Sequence, residues 1–281
     1  MKKLICYASG GLCNRIAPLL SCMAYKEKHL ATELLICWEP TFRCFAEYTD
    51  IFEYPTDAKI ITKKEMRNLG VTQVFATSPH DIAFDAHLYK EPSLFETVKS
   101  LGELYDINGE VGGEVSVVYG NTFIEGLCSK EDAIRQFEKL MLLPEITNSV
   151  TTFLEGQNQF DVGWHIRGTD FINDSYEGYF VKIQEYLHNH PDKKVFICSD
   201  EPEWEKKMKQ EFPDNIYYRE KQHHVEKLNP ELDTWKDNTN TPPAAVKEAM
   251  IDFMLLMRCD RIEANTASSF SNLAKTLKGE S

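Results

Sequence analysis

From Asp161 onward, short apolar runs alternate with segments of helical period, and this alternation constrains the fold more than any other feature of the chain. Asp161 to Ile166 reads as a strand, Tyr176 to Asn189 as a helix, Lys194 to Ser199 as a strand, Pro202 to Glu211 as a helix and Ile216 to Tyr218 as a strand. A strong helix follows at Ala244 to Cys259, then a strand at Arg261 to Asn265 and a helix at Ser268 to Lys278. Strand and helix in turn predict a parallel sheet with crossover helices. His223 to Pro243, polar and rich in Pro, Asp and Asn, reads as a long surface loop.

The first half is less regular. Lys3 to Ala8 reads as a buried strand, Gly10 and Gly11 as a turn and Asn14 to Lys28 as a helix. Leu34 to Trp38, Ala58 to Ile61, Val71 to Ala76 and Val115 to Tyr119 are further strand candidates, in what looks like an irregular α/β domain. Ser129 and Asp132 have the spacing of a helix-start pair, and Pro144 opens another helix reaching Leu154. The turn-rich stretch Gly156 to Gln159 is the natural boundary, giving lobes 1–155 and 156–281. The expected fold is α/β and two-lobed, with ligands beyond the carboxyl ends of the strands.

Composition narrows the function. Among 281 residues, 31 Lys plus Arg stand against 44 Asp plus Glu, a net charge of −13 that argues against nonspecific binding to nucleic acid or an anionic membrane. No apolar run approaches the roughly 18 residues needed to span a bilayer. The eight cysteines form no C-x-x-C pair, so they read as buried small hydrophobes in a reducing compartment. His223 and His224 have no metal-spaced companions, and no nucleophile elbow is present. A soluble, cytoplasmic protein is expected.

The polar residues that stand out lie at strand ends. His165-Ile166-Arg167-Gly168-Thr169-Asp170 closes a core strand with charged side chains. Arg167 has a planar fork suited to phosphate oxygens, with Asp170 to orient it, and an Arg–Asp pair closing the strand top accounts for the same residues. Gly10 and Gly11, followed by Asn14 and Arg15, would let backbone approach a ligand, as an ordinary strand-to-helix turn also would; the spacing fits neither G-x-G-x-x-G nor a P-loop. Ser268 and Ser269 open the last helix, either as an anion site or as a plain N-cap. Ser199 and Asp200, at the end of another strand, are candidate donor contacts, while the two acids Asp200 and Glu201 also read as a cap for the helix at Pro202. Asp252 lies inside an apolar helix, where an acid must be paired or face a pocket.

In order and in context these segments resemble the fucosyltransferase-like glycosyltransferases of GT-B type, a group that includes core α-fucosyltransferases, nodulation fucosyltransferases and protein O-fucosyltransferases. Gly10 to Arg15 is similar to the family's G-G-x-x-N-[RQ] turn, and His165 to Asp170 to its H-[VI]-R-R-[TG]-D donor motif. Val195 to Pro202 resembles the strand ending in S/T-D-[DE]-P, and Asp252 to Ser269 the acid-bearing helix, strand and Ser-Ser turn. The likeness covers about the last 120 residues and, before them, the glycine turn. It implies a Rossmann-like C-terminal donor lobe, an N-terminal acceptor lobe, a nucleotide-sugar donor and a glycan acceptor. Arg167 would contact the diphosphate, His165 and Asp252 the base, and Ser268 and Ser269 the phosphates. Inverting transfer without a divalent metal or other cofactor follows from the same likeness.

Two positions depart from the family pattern. Gly168 stands where fucosyl enzymes commonly carry a second Arg, and Phe171 where core-type enzymes have Lys. The lost positive charge makes a UDP-sugar donor such as UDP-xylose the alternative to GDP-fucose. A nucleotide- or glycan-binding protein without transfer activity is the non-enzymatic alternative. The general base expected after the motif falls near Ser175, where Asp174 is the candidate. A short chain without a membrane anchor suits a bacterial or viral enzyme better than a Golgi one.

Overall fold

A computed structural model describes residues 2–41, 43–71, 73–76, 114–120, 127–157, 159–168, 175–229, 231, 239–263 and 268–280. The chain divides into two compact units, Met1–Thr41 with Glu47–Met141, and Phe42–Ala46 with Leu142–Ser281.

In the first unit β1 (Lys2–Ala8) runs at the centre of a parallel sheet of order β3-β2-β1-β5-β4, with β2 at Thr32–Cys37, β3 at Ala58–Ile60, β4 at Gln73–Ala76 and β5 at Val115–Gly120. The irregular domain expected here is thus a regular parallel sheet. Period-2 alternation sends Ile5, Tyr7, Leu35, Cys37, Val117 and Tyr119 into one buried cluster. Helix α1 (Leu12–Lys28) follows β1, and two further α-helices of the unit open on capping boxes. These are α2 (Lys63–Asn68), opened by a capping box of Thr62 and Glu65, and α3 (Lys130–Glu138), opened by the expected box of Ser129 and Asp132.

The second unit contains α4 (Pro144–Leu154), so the observed division falls between Met141 and Leu142 rather than at the 155/156 boundary that turn chemistry suggests. The cause is packing. Phe153 of α4 packs tilted against Phe160 and edge-on against Phe196, with ring centroids 6.1 and 5.9 Å away. The unit's four-stranded sheet has the order β11-β6-β7-β8, all parallel, with β6 at Val162–Ile166, β7 at Val195–Ser199, β8 at Ile216–Tyr217 and β11 at Arg261–Glu263. Helices α5 (Tyr176–Asn189), α6 (Pro202–Glu211), α7 (Pro243–Arg258) and α8 (Ser269–Lys278) alternate with the strands. The polar stretch expected to be loop contains a small antiparallel hairpin of β9 (Glu226–Lys227) and β10 (Thr239–Asn240), beside which the Phe45 amide donates to the Thr241 carbonyl.

β6 uses both faces. Val162, Trp164 and Ile166 pack with Tyr179, Ile183 and Leu187 of α5. Gly163 looks the other way, onto α7, where an added Cβ would lie 2.6 Å from Leu256 Cδ1 and 2.7 Å from Cys259 Sγ. Both neighbours are fully buried, so nothing can swing aside. Gly163→Ala is therefore expected to cost about 1–3 kcal/mol of stability, the usual scale of overpacking, measured as a lower urea midpoint.

A candidate donor site at the strand ends of the second unit

Parallel pairing gathers the carboxyl ends of β6, β7, β8 and β11 on one edge. The register pairs Ile166 with Ser199, so the next residues on each strand, Arg167 and Asp200, are neighbours across the sheet. Asp200 uses both oxygens on the β6 end: Oδ1 accepts the Gly168 amide at 2.6 Å, and Oδ2 lies 3.6 Å from Arg167 Nε. The Arg167 side chain is 29% exposed, with Asp200 lying beside its Nε. Asp200 therefore is not a cap for α6. Ser199 also turns inward, its buried hydroxyl accepting the Glu201 amide at 3.0 Å.

On the same edge His165 is buried and its Nδ1 lies 3.2 Å from Ser268 Oγ, while its ring stacks on Phe270 with centroids 4.5 Å apart. Ser268 is the N-cap of α8, but its side chain makes no cap bond to the first turn. The plain N-cap reading fails for that reason: the hydroxyl serves His165, and Ser269 behind it is exposed. Burial, then the positive charges of Arg167 and Lys221, push the imidazole down to about 3. His165 is thus neutral over the physiological range.

Gly168 is tightly enclosed. An added Cβ would lie 2.8 Å from Glu201 Cβ and 3.4 Å from the Trp204 ring. The position that carries a second arginine in the family pattern has no room for a side chain. Its neighbour Glu201 is a half-buried acid whose carboxyl is raised by burial and then by Asp200 and Glu203.

Asp252 is buried and paired, the first of the two situations open to a mid-helix acid. Its partners are Arg219 and Lys221, at 3.3 and 3.0 Å. Neither cation stands out in the sequence, because the strand before them is two residues long; their position just past a parallel strand's end is the signal that could have found them.

The glycine turn lies in the first unit. Gly10 has a φ of 78°, open to glycine at little cost, and Gly11 is the N-cap of α1, while an added Cβ at Gly10 would lie 3.1 Å from Asn14 Cβ. Arg15 does not present its guanidinium to a ligand: it is fully buried, donating to the Gly10 carbonyl at 2.9 Å, the Glu39 carbonyl at 2.7 Å and Thr41 Oγ1 at 2.7 Å. It builds the turn. Trp38, also buried, packs edge-on against Tyr48 and Phe52. Asp170, Phe171 and Asp174 lie outside the described residues. All eight cysteines are free and buried, and among the described residues no His, Cys, Asp and Glu cluster could hold a metal. Among those residues no helix is long and apolar enough to cross a membrane.

No family model matches the sequence, and no curated protein matches it. Solved structures do match. NodZ alpha-1,6-fucosyltransferase co-crystallised with GDP aligns with a TM-score of 0.64 and 16% identity, over 98% of this chain and 92% of that one. Fucosyltransferase NodZ from Bradyrhizobium aligns at 0.62 and 17%, over 98% and 92%, and POFUT1 in complex with GDP-fucose at 0.57 and 13%, over 99% and 95%. The chain has the fold of the fucosyltransferase-like GT-B glycosyltransferases.

The buried, neutral His165 predicts a pH signature. Its ordinary value of 6.5 applies in the unfolded chain, where it takes up a proton that the folded site refuses. Its share of stability is complete above pH 6.5 and is lost progressively as pH falls toward 3. Glu205, raised from 4.5 to about 7 chiefly by burial, has the opposite effect, losing stability as pH rises through that window. Urea unfolding at a series of pH values should show a shallower acid-side loss in His165→Gln than in the wild type.

Proposed function

We propose that the protein is a metal-independent, inverting glycosyltransferase that moves a sugar from a nucleotide-sugar donor to a hydroxyl of a glycan acceptor. The observation that carries this reading is Arg167, half-open on a parallel-sheet edge and held from behind by Asp200. On the same edge the first turn of α8 is uncapped by Ser268. A guanidinium and a helix N-terminus together suit the diphosphate of a leaving nucleotide.

In the reaction the acceptor oxygen attacks the anomeric carbon from the face opposite the nucleotide, and the carbon–phosphate oxygen bond breaks. Negative charge then grows on the β-phosphate. Arg167 meets that charge without reorganising, because Asp200 already holds it in place. The hydroxyl proton passes to a carboxylate base, for which Asp174 is the candidate that the motif offers.

The fold's solved representatives bound to GDP and GDP-fucose support a GDP-fucose-type donor. The enclosed Gly168 supports the second reading, a UDP-sugar donor, because the site holds one arginine where the family pattern has two.

Arg167→Ala should lower transfer by more than about a hundredfold, the scale of losing one preorganised oxyanion donor, with the thermal midpoint little changed. An active variant would overturn the assignment. EDTA should leave transfer unchanged, and a strict Mg²⁺ or Mn²⁺ requirement would contradict the mechanism. In a thermal-shift panel of GDP, UDP, CDP, GDP-fucose and UDP-xylose, a ligand at 100 times its Kd adds about 2.7 kcal/mol, so the nucleotide that raises the midpoint most identifies the donor's base. No shift from any of them would refute a nucleotide-sugar donor.

A further inference from the structure

Behind the strand edge lies a buried network that the proposed chemistry does not use. Glu205 of α6 accepts the Ser199 amide at 2.7 Å and also pairs with Lys221. Lys221 reaches Asp252 Oδ2 at 3.0 Å, and Asp252 Oδ1 lies 3.3 Å from Arg219 Nη2. Arg219 pairs in turn with Glu248 at 2.5 Å, and Glu248 Oε1 accepts the Gln222 amide at 3.0 Å. The side chains of Glu205, Asp252 and Lys221 expose only 2%, 5% and 7% of their surface.

The network clamps the segment after β8 between two helices. Glu248 and Asp252, one turn apart on α7, grip it from one side, and Glu205 from the other while also holding the last residue of β7. Asp200, which orients Arg167, is the next residue along the chain.

Both oxygens of Asp252 face cations inside the protein. A carboxylate that reads guanine must offer its two oxygens side by side, to the ring N1–H and to the 2-amino group. A buried acid whose two oxygens each face a buried cation has its charge matched inside the protein, and turning it toward a base would strand two positive charges.

We infer that Asp252 is a positioning residue, which through Lys221 and Glu205 fixes the end of β7 beneath Arg167, and that the nucleotide base is read without its carboxylate. This inference rests on the proposed nucleotide-sugar site. Burial, with the Asp252 charge adding, raises Glu205 to about 7 against the pull of Lys221, in keeping with three carboxylates sharing two cations. Asp252 and Glu205 in turn raise the Lys221 ammonium, although burial opposes its charge.

Calorimetric titration tests this with GDP, UDP and inosine diphosphate, which is GDP lacking the 2-amino group. In the wild type, GDP and inosine diphosphate should bind within about threefold of each other, since no buried acceptor is left unpaired by the missing amine. Asp252→Asn leaves two cations facing two carboxylates, a balanced set that should fold, and it should weaken every nucleotide that binds by one common factor. Lys221→Met should do the same, and the double variant should be little worse than either single one, because both residues act through one chain of contacts. A preference for GDP over inosine diphosphate above about tenfold, abolished by Asp252→Asn, would overturn the inference while leaving the donor site standing. Additive losses in the double variant would overturn it also. If none of the three nucleotides binds, the nucleotide-sugar reading itself falls and takes this inference with it.

Discussion

Parallel strand pairing is the constraint on which the rest of the second unit depends. A parallel sheet puts every carboxyl end on one edge, and its register decides which strand-end residues touch. Ile166 opposite Ser199 makes neighbours of Arg167 and Asp200, which are 33 positions apart. A one-residue slip would turn the core set of β6 out of the core and separate that pair. Gly163 and Gly168 permit the arrangement at its two levels, one where α7 lies on the strand and one where Gly168 itself lies against Glu201 and Trp204.

Charge is deployed sparingly. In a chain of net charge −13, the described cations at this strand edge are held by acids: Arg167 by Asp200, Lys221 by Glu205 and Asp252, Arg219 by Glu248 and Asp252. Arg167 is the one of these three with substantial exposure; the other two are locked into the scaffold. In the proposed reaction the donor's diphosphate would meet one guanidinium and the amide end of α8 instead of a broad positive field. Recognition of that kind depends on preorganised direction more than on summed charge.

Much of this was legible from residue order. The strand and helix alternation after Asp161 appears as the periodicity places it, because amphipathic period is a local property that tertiary packing here leaves alone. The cap pair Ser129 and Asp132 is equally local. The first unit was harder to read: several of its strands are short, and parallel pairing of β1 with both β2 and β5 brings together residues far apart in sequence. Gly156 marks a turn, whereas the division into compact units before Leu142 follows what Phe153 packs against.

Residue type and spacing by themselves determined that Arg167, Asp200, His165 and Ser268 would stand at strand and helix ends, since hydrophobic period locates those ends. They also showed that Asp252 needed a partner or a pocket, since an acid inside an apolar helix cannot be left bare. Only the tertiary structure decided which polar atoms face one another. It turned Arg15 from a ligand contact into the brace of its own turn and gave the Ser268 hydroxyl to His165. It also surrounded Asp252 with two cations contributed by a segment 31 to 33 residues earlier. Such pairings depend on register and helix packing between distant segments, and no local pattern encodes them.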